Sequence, residues 1–198
     1  MSSFEHETLE RVERYRGPIF TVYSDKVTMS GGGVATRDVV ENKGAVGVVA
    51  LDDVGRVVLI RQYRHPVYQR LWEVPAGLRD VRGEDLLITA RRELAEETDY
   101  QAARFDLLVD LHTSPGFSNE TIRMFLARDL TPVPEGERHA RTDEEADLEI
   151  AWFDLDEAVA MILRGEITNA STVAALLAAQ RAREDGWAML RPADTPAL

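Results

Sequence analysis

Cysteine is absent from the 198 residues. That excludes disulfides and thiolate metal sites. Histidine is scarce as well: His6, His65, His112 and His139 are scattered without the spacing of a zinc site. A metal held by this chain would therefore meet mainly oxygen ligands. No apolar run approaches the length of a bilayer span, and the N-terminus lacks the apolar core of a signal peptide, so a cytoplasmic protein is expected. Basic residues are outnumbered, with 23 Lys and Arg against 35 Asp and Glu, for a formal charge of −12. Such a surface is a poor partner for nucleic acid. It also repels a small anionic ligand, which would need metal ions and a few well-placed arginines.

What is present is a globular composition, 44% hydrophobic, at a length that allows one sizeable domain plus an appendage. Residues 1–42 are polar and β-rich, with two or three short strands around Gly31-Gly32-Gly33. That glycine run has neither a P-loop lysine nor a following helix, so it reads as a hairpin turn. Strands of this kind are marginal alone and need a partner surface, either the main domain or a second subunit. From residue 43 onward a second region begins. "AVGVVALDD" and "RVVLIRQYR" read as buried strands joined at Asp53-Val54-Gly55, and "FDLLVDLHT", "TIRMFLARDL" and "DLEIAWFDL" as further strands. A helix from Asp156 and an alanine-rich helix in "NASTVAALLAAQRARE" follow, and the proline-containing tail after Gly186 reads as an arm. Strands interleaved with helices predict an α/β fold with a mixed sheet between helical layers.

The stretch Arg92-Glu93-Leu94-Ala95-Glu96-Glu97 carries the chemistry. Glu93, Glu96 and Glu97 stand at i, i+3 and i+4, on one face of a helix. Like charges at that spacing destabilise an isolated helix, so the cluster calls for either a solvated face or a divalent cation. Taken alone, the run fits a solvated face. The upstream residues turn the balance. Trp72, Val74 and Pro75 predict a strand ending at Pro75, Ala76-Gly77 a close turn, and Asp85 an N-cap for a helix with Leu87, Ala90 and Leu94 as its apolar stripe. A strand, a glycine loop and a helix edged with acids make a metal-site architecture, and carboxylates are the ligands Mg2+ and Mn2+ prefer.

Gly77, Glu84, Arg92, Glu93, Leu94, Glu96 and Glu97 resemble the signature box of the Nudix hydrolases. Six residues separate Gly77 from Glu84, one more than the family pattern, and Asp99 and Tyr100 replace its closing glycine and aliphatic residue. The "HTSPGFSNE" loop, fifteen residues past Tyr100, together with "LWEVPAGL" and "RGEITNASTVAALL", resembles the ADP-ribose pyrophosphatase branch, and the "GGG", "QYRH" and "EEAD" segments its actinobacterial members. The resemblance implies a Nudix-like α/β/α sandwich spanning 43–198, preceded by a dimerisation region over 1–42. It implies a homodimer with exchanged N-terminal strands and a substrate site shared between subunits. The reaction implied is hydrolysis of the ADP-ribose pyrophosphate to AMP and ribose 5-phosphate. An alternative within the fold is another nucleoside diphosphate sugar, such as GDP-mannose or ADP-glucose. Outside it are a non-catalytic ADP-ribose sensor, which would need a damaged ligand set, and a structural dimerisation protein.

The same resemblance suggests roles. Glu93 and Glu97, then Glu96 and the backbone carbonyl of Ala76, are the implied ligands of Mg2+, with Mn2+ as a substitute. Arg92, one turn from Glu96, orients that ligand. A base is implied in the charged loop "PEGERHARTDEEADLEI", at Glu145 first and Glu144 second. Arg64 and Glu120 are the implied contacts to ribose and phosphate, with Leu78 a further substrate contact and Ser114 and Gly116 offering backbone contacts to the terminal ribose. Arg37, supplied by the second subunit, would meet the adenosine part.

Overall fold

A computed structural model describes residues 6–79, 83–141 and 147–197. The chain forms two compact units. One comprises the chain up to Gly44 together with His112–Thr121; the other comprises Ala45–Leu111 and the chain from Ile122 onward.

In the first unit, strands β1 (Thr8–Arg16), β2 (Phe20–Thr28) and β3 (Val34–Asn42) form an antiparallel sheet in that order. They are full nine-residue strands, longer than the short strands expected. The glycine run is the β2–β3 turn: the Met29 amide donates to the Gly33 carbonyl and the Gly32 amide to the Met29 carbonyl, both at 2.8 Å. Gly32, at φ 80°, takes the left-handed conformation that such a turn requires. Both faces of β1 are largely exposed, and the sheet is braced by side chains instead, chiefly the Arg11 guanidinium, which donates twice to Asp25 at 2.9 and 2.8 Å.

The second unit is the α/β fold. Its strands are β4 (Ala45–Ala50), β5 (Arg56–Arg64), β6 (Gln69–Glu73), β7 (Ala76–Leu78), β8 (Tyr100–His112, its last residue in the first unit), β9 (Thr121–Pro132, its first residue likewise), β10 (Glu149–Asp154) and β11 (Arg191–Pro192). Its helices are α1 (Leu86–Thr98), α2 (Leu155–Leu163) and α3 (Ala170–Glu184). One sheet runs β11-β8-β9-β4-β7, with β4 parallel to β9 and antiparallel to β7; a second, antiparallel, runs β10-β5-β6.

Strand periodicity explains the layering. Successive side chains of a strand point to opposite faces. In β4, Val46, Val48 and Ala50 join the cluster that holds Ala90 and Leu94 of α1, while Val49 packs into the cluster of α2 and α3 with Leu155, Ala175 and Leu176. In β5, Val58 faces the first cluster and Val57 and Leu59 the second. β9 divides likewise, with Phe125 and Ala127 on one side and Met124 and Leu126 on the other. Continuous apolar runs are thus what a sheet covered on both faces requires, and this is the expected α/β/α sandwich.

Two expectations are corrected. Ala76-Gly77 is not a turn but the start of β7, because β4 supplies a paired edge at Gly47 and Val46. The tail after Gly186 is not a free arm: β11 pairs with β8, and Arg123 donates to the Thr195 and Pro196 carbonyls at 2.6 and 2.9 Å, so a buried cation holds the tail by its backbone.

Candidate active site

Helix α1 begins as its sequence dictates. The Asp85 carboxylate accepts from the Leu87 amide at 2.8 Å, capping the first turn. Ala90 and Leu94 are fully buried, which fixes the rotation of the helix and turns Glu93 and Glu97 toward β7. There Glu97 accepts from the Ala76 amide at 2.8 Å. Glu93 lies against Gly77 so closely that a Cβ on residue 77 would collide with its carboxylate. Both side chains are buried, Glu93 at 8% and Glu97 at 4% exposure, whereas Glu96 is half-buried.

Arg92 organises the remaining acids. Its Nη1 lies 2.7 Å from Glu93 and 3.3 Å from Glu96, and its Nη2 lies 3.7 Å from Glu84. Glu84 in turn accepts from the Thr89 hydroxyl at 2.7 Å. Burial works to lower the pKa of the Arg92 guanidinium, but the charges of Glu93, Glu96 and Glu84 outweigh it and hold the pKa above its ordinary value. Among the described residues the acids are not closed into a three-ligand cage, since Arg92 Nη1 bridges Glu93 and Glu96 and Glu97 is turned to the Ala76 amide.

Three carboxylates around one guanidinium, with Glu97 on the same face of the helix, leave an excess of negative charge in a partly dehydrated site. Buried like charges are costly unless a cation neutralises them. The donors are hard oxygens, two of them buried, and that set fits a divalent ion such as Mg2+ better than a soft metal. A family model for the NUDIX domain matches residues 41–187, which include every one of these side chains.

The chain belongs to the Nudix family. It is 46% identical over 195 residues, covering 98% of this chain and 92% of the other, to an ADP-ribose pyrophosphatase of Mycobacterium tuberculosis. It is 32% identical over 176 residues, covering 89% and 93%, to an ADP-ribose pyrophosphatase of Bacillus subtilis. A solved structure described as an ADP compounds hydrolase superposes with a TM-score of 0.79, over 94% of this chain and 98% of that one, at 24% identity, and so shares its fold. The chain is a Nudix hydrolase.

The other expected site residues of this Nudix chain fall in both units. Arg64, at the end of β5, is held by Glu73 through a two-point contact, Nε to Oε1 at 3.0 Å and Nη2 to Oε2 at 2.5 Å. Leu78 is an exposed residue at the end of β7. In the first unit, Glu120 accepts from Asn42 at 3.1 Å and from the Thr113 hydroxyl at 2.5 Å. Ser114 closes the turn through its carbonyl, which accepts from the Phe117 and Ser118 amides, and Gly116 is exposed in that turn. Arg37 is exposed on β3 and donates to the Thr36 carbonyl at 2.9 Å. Glu144 and Glu145 lie outside the described residues.

Residue-by-residue reading missed Glu73, Thr89 and Arg141. Glu73 is a buried carboxylate in the middle of "LWEVPAGL". A charge inside a strand with Trp72 and Val74 beside it was the available signal.

Proposed function

We propose that this Nudix hydrolase cleaves the pyrophosphate of ADP-ribose to AMP and ribose 5-phosphate, with Mg2+ as the working ion and Mn2+ able to replace it. The observation that carries the choice of substrate is the near-full-length likeness to a pyrophosphatase of that name, which includes the β-rich N-terminal residues as well as the box. Glu93, Glu96, Glu97 and the Ala76 carbonyl would hold the ion. When bound, it polarises phosphate oxygens and makes a water more acidic.

In the reaction a water oxygen bonds to one phosphorus while the bond from that phosphorus to the bridging oxygen breaks. The bridging oxygen departs on the second phosphate, and the water proton passes to a base, assigned to Glu145 with Glu144 second. Arg92 keeps Glu93 and Glu96 in place through its shared Nη1. Arg64, oriented by Glu73 and 40% exposed, fits a contact to a phosphate, with Glu120 the partner for ribose hydroxyls. Ser114 and Gly116 are assigned to the terminal ribose, Leu78 to a further substrate contact, and Arg37 of the partner subunit to the adenosine part. Exposed Leu9, Tyr15, Ile19 and Phe20 on and beside β1 and β2 support a homodimer built on that sheet, with N-terminal strands exchanged. Among the described residues no helix is long and apolar enough to cross a membrane.

Product analysis tests the reading. ADP-ribose, GDP-mannose, ADP-glucose and NADH are offered with Mg2+ and with chelator. The expected result is AMP and ribose 5-phosphate from ADP-ribose at the highest kcat/KM, abolished by chelation. A higher kcat/KM for any other member of the panel would overturn the choice of substrate.

A further inference from the structure

The box of this chain closes on Asp99 where the family pattern has glycine. Residue 99 sits at φ 61°, ψ 26°, in the left-handed turn that ends α1, and its amide donates to the Ala95 carbonyl at 3.1 Å. Glycine takes that conformation without strain, and any Cβ is a cost there. The carboxylate that accompanies the cost is engaged. Arg141 Nη2 lies 2.8 Å from Asp99 Oδ2, and Arg141 Nε donates to the Glu96 carbonyl at 3.1 Å. Asp99 Oδ1 and Arg141 Nη2 are both shut off from solvent without a well-aligned hydrogen bond among the described residues, so the contact is one of charge. A third link is the Val133 amide, which donates to the Asp99 carbonyl at 2.8 Å.

The segment from Val133 to Arg141 is therefore fastened at both ends to the last turn of α1, the turn that carries Glu96 and Glu97. Between them the segment and the helix line an open pocket of about 430 Å3, with Arg92, Glu96, Arg138 and His139 on its walls. We propose that Asp99 and Arg141 are a positioning pair. They hold this segment against the catalytic helix, and turnover depends on that hold. Neither residue is assigned a contact with substrate. The kinetic half of the proposal rests on the reading of the chain as an ADP-ribose pyrophosphatase; the structural half does not.

Asp99→Gly is the discriminating variant, because glycine suits the backbone: the strain relieved by losing the Cβ offsets the lost ion pair in stability, while the link to Arg141 is gone. Arg141→Gln removes the other partner. For each, and for the double variant, kcat, KM, Tm and amide hydrogen exchange over 134–141 are measured. The expected result is a kcat loss of about tenfold or more with KM changed less than about twofold, the double variant no slower than the slower single one. Asp99→Gly should keep its Tm while exchange over 134–141 rises. Unchanged kcat, or losses that multiply in the double variant, would overturn the kinetic half. Unchanged exchange would overturn the hold itself, whatever substrate the enzyme prefers.

Discussion

Position 77 has only a hydrogen where other residues carry a side chain, and that decides where Glu93 can lie. The Glu93 carboxylate occupies the space a Cβ would fill. Gly77→Ala should therefore leave the sheet intact and push Glu93 off β7, lowering divalent-ion affinity on the order of 10–100-fold, as displacement of a ligand's support does elsewhere. Calorimetric Mn2+ titration of the two proteins checks this; equal affinity would show that Glu93 is free to move without consequence. Sequence made the charges at 93, 96 and 97 legible because helical spacing needs no tertiary information. It did not reveal that Arg92 bridges Glu93 and Glu96, since a single i, i+4 pair was visible and the i, i+1 contact depends on which rotamer the packed helix allows. Glu73 was hidden for a related reason: its partner Arg64 lies nine residues away, and the β5–β6 register sets Glu73 opposite Ile60 and Arg64 opposite Gln69, so neither spacing nor register announces the pair.

Among the elements, α1 places the site, and its first turn is where it can be weakened without touching an acid of the cluster. Asp85 accepts from the Leu87 amide and caps an otherwise unsatisfied helix end. Asp85→Ala should cost about 1 kcal/mol, the usual worth of such a cap. For a chain of this size that is a fall in Tm of roughly 2–4 °C, readable by calorimetry, with Asp85→Asn close to wild type. A Tm unchanged in Asp85→Ala would mean the cap carries no stability. This helix start was legible from an aspartate before an apolar stripe. So were the buried strands, from their unbroken apolar runs. β7 was not, because three residues carry no periodicity and only the partner β4 makes them a strand. β11 escaped for the same reason, with Pro192 reading as a breaker.

At the scale of the molecule, a chain of charge −12 concentrates further negative charge in a buried site intended for an anionic substrate. That arrangement makes physical sense only if a divalent ion enters it. Composition pointed to this before any fold was known: without cysteine or clustered histidine, oxygen ligands were what remained. That Glu120 and Ser114 belong to the unit built on the N-terminal sheet was not legible, because both follow β8 in sequence. The central claim is that Glu93 and Glu97 bind the metal that hydrolysis needs. The most direct measurement is Mn2+ affinity and ADP-ribose turnover in Glu97→Gln, in which the amide oxygen can still accept from the Ala76 amide and preserve the fold. The account predicts an unchanged Tm with metal affinity and kcat each reduced more than about 100-fold, beyond the loss seen for residues that merely support a ligand. A folded Glu97→Gln protein that binds Mn2+ and turns over ADP-ribose like the wild type would contradict it.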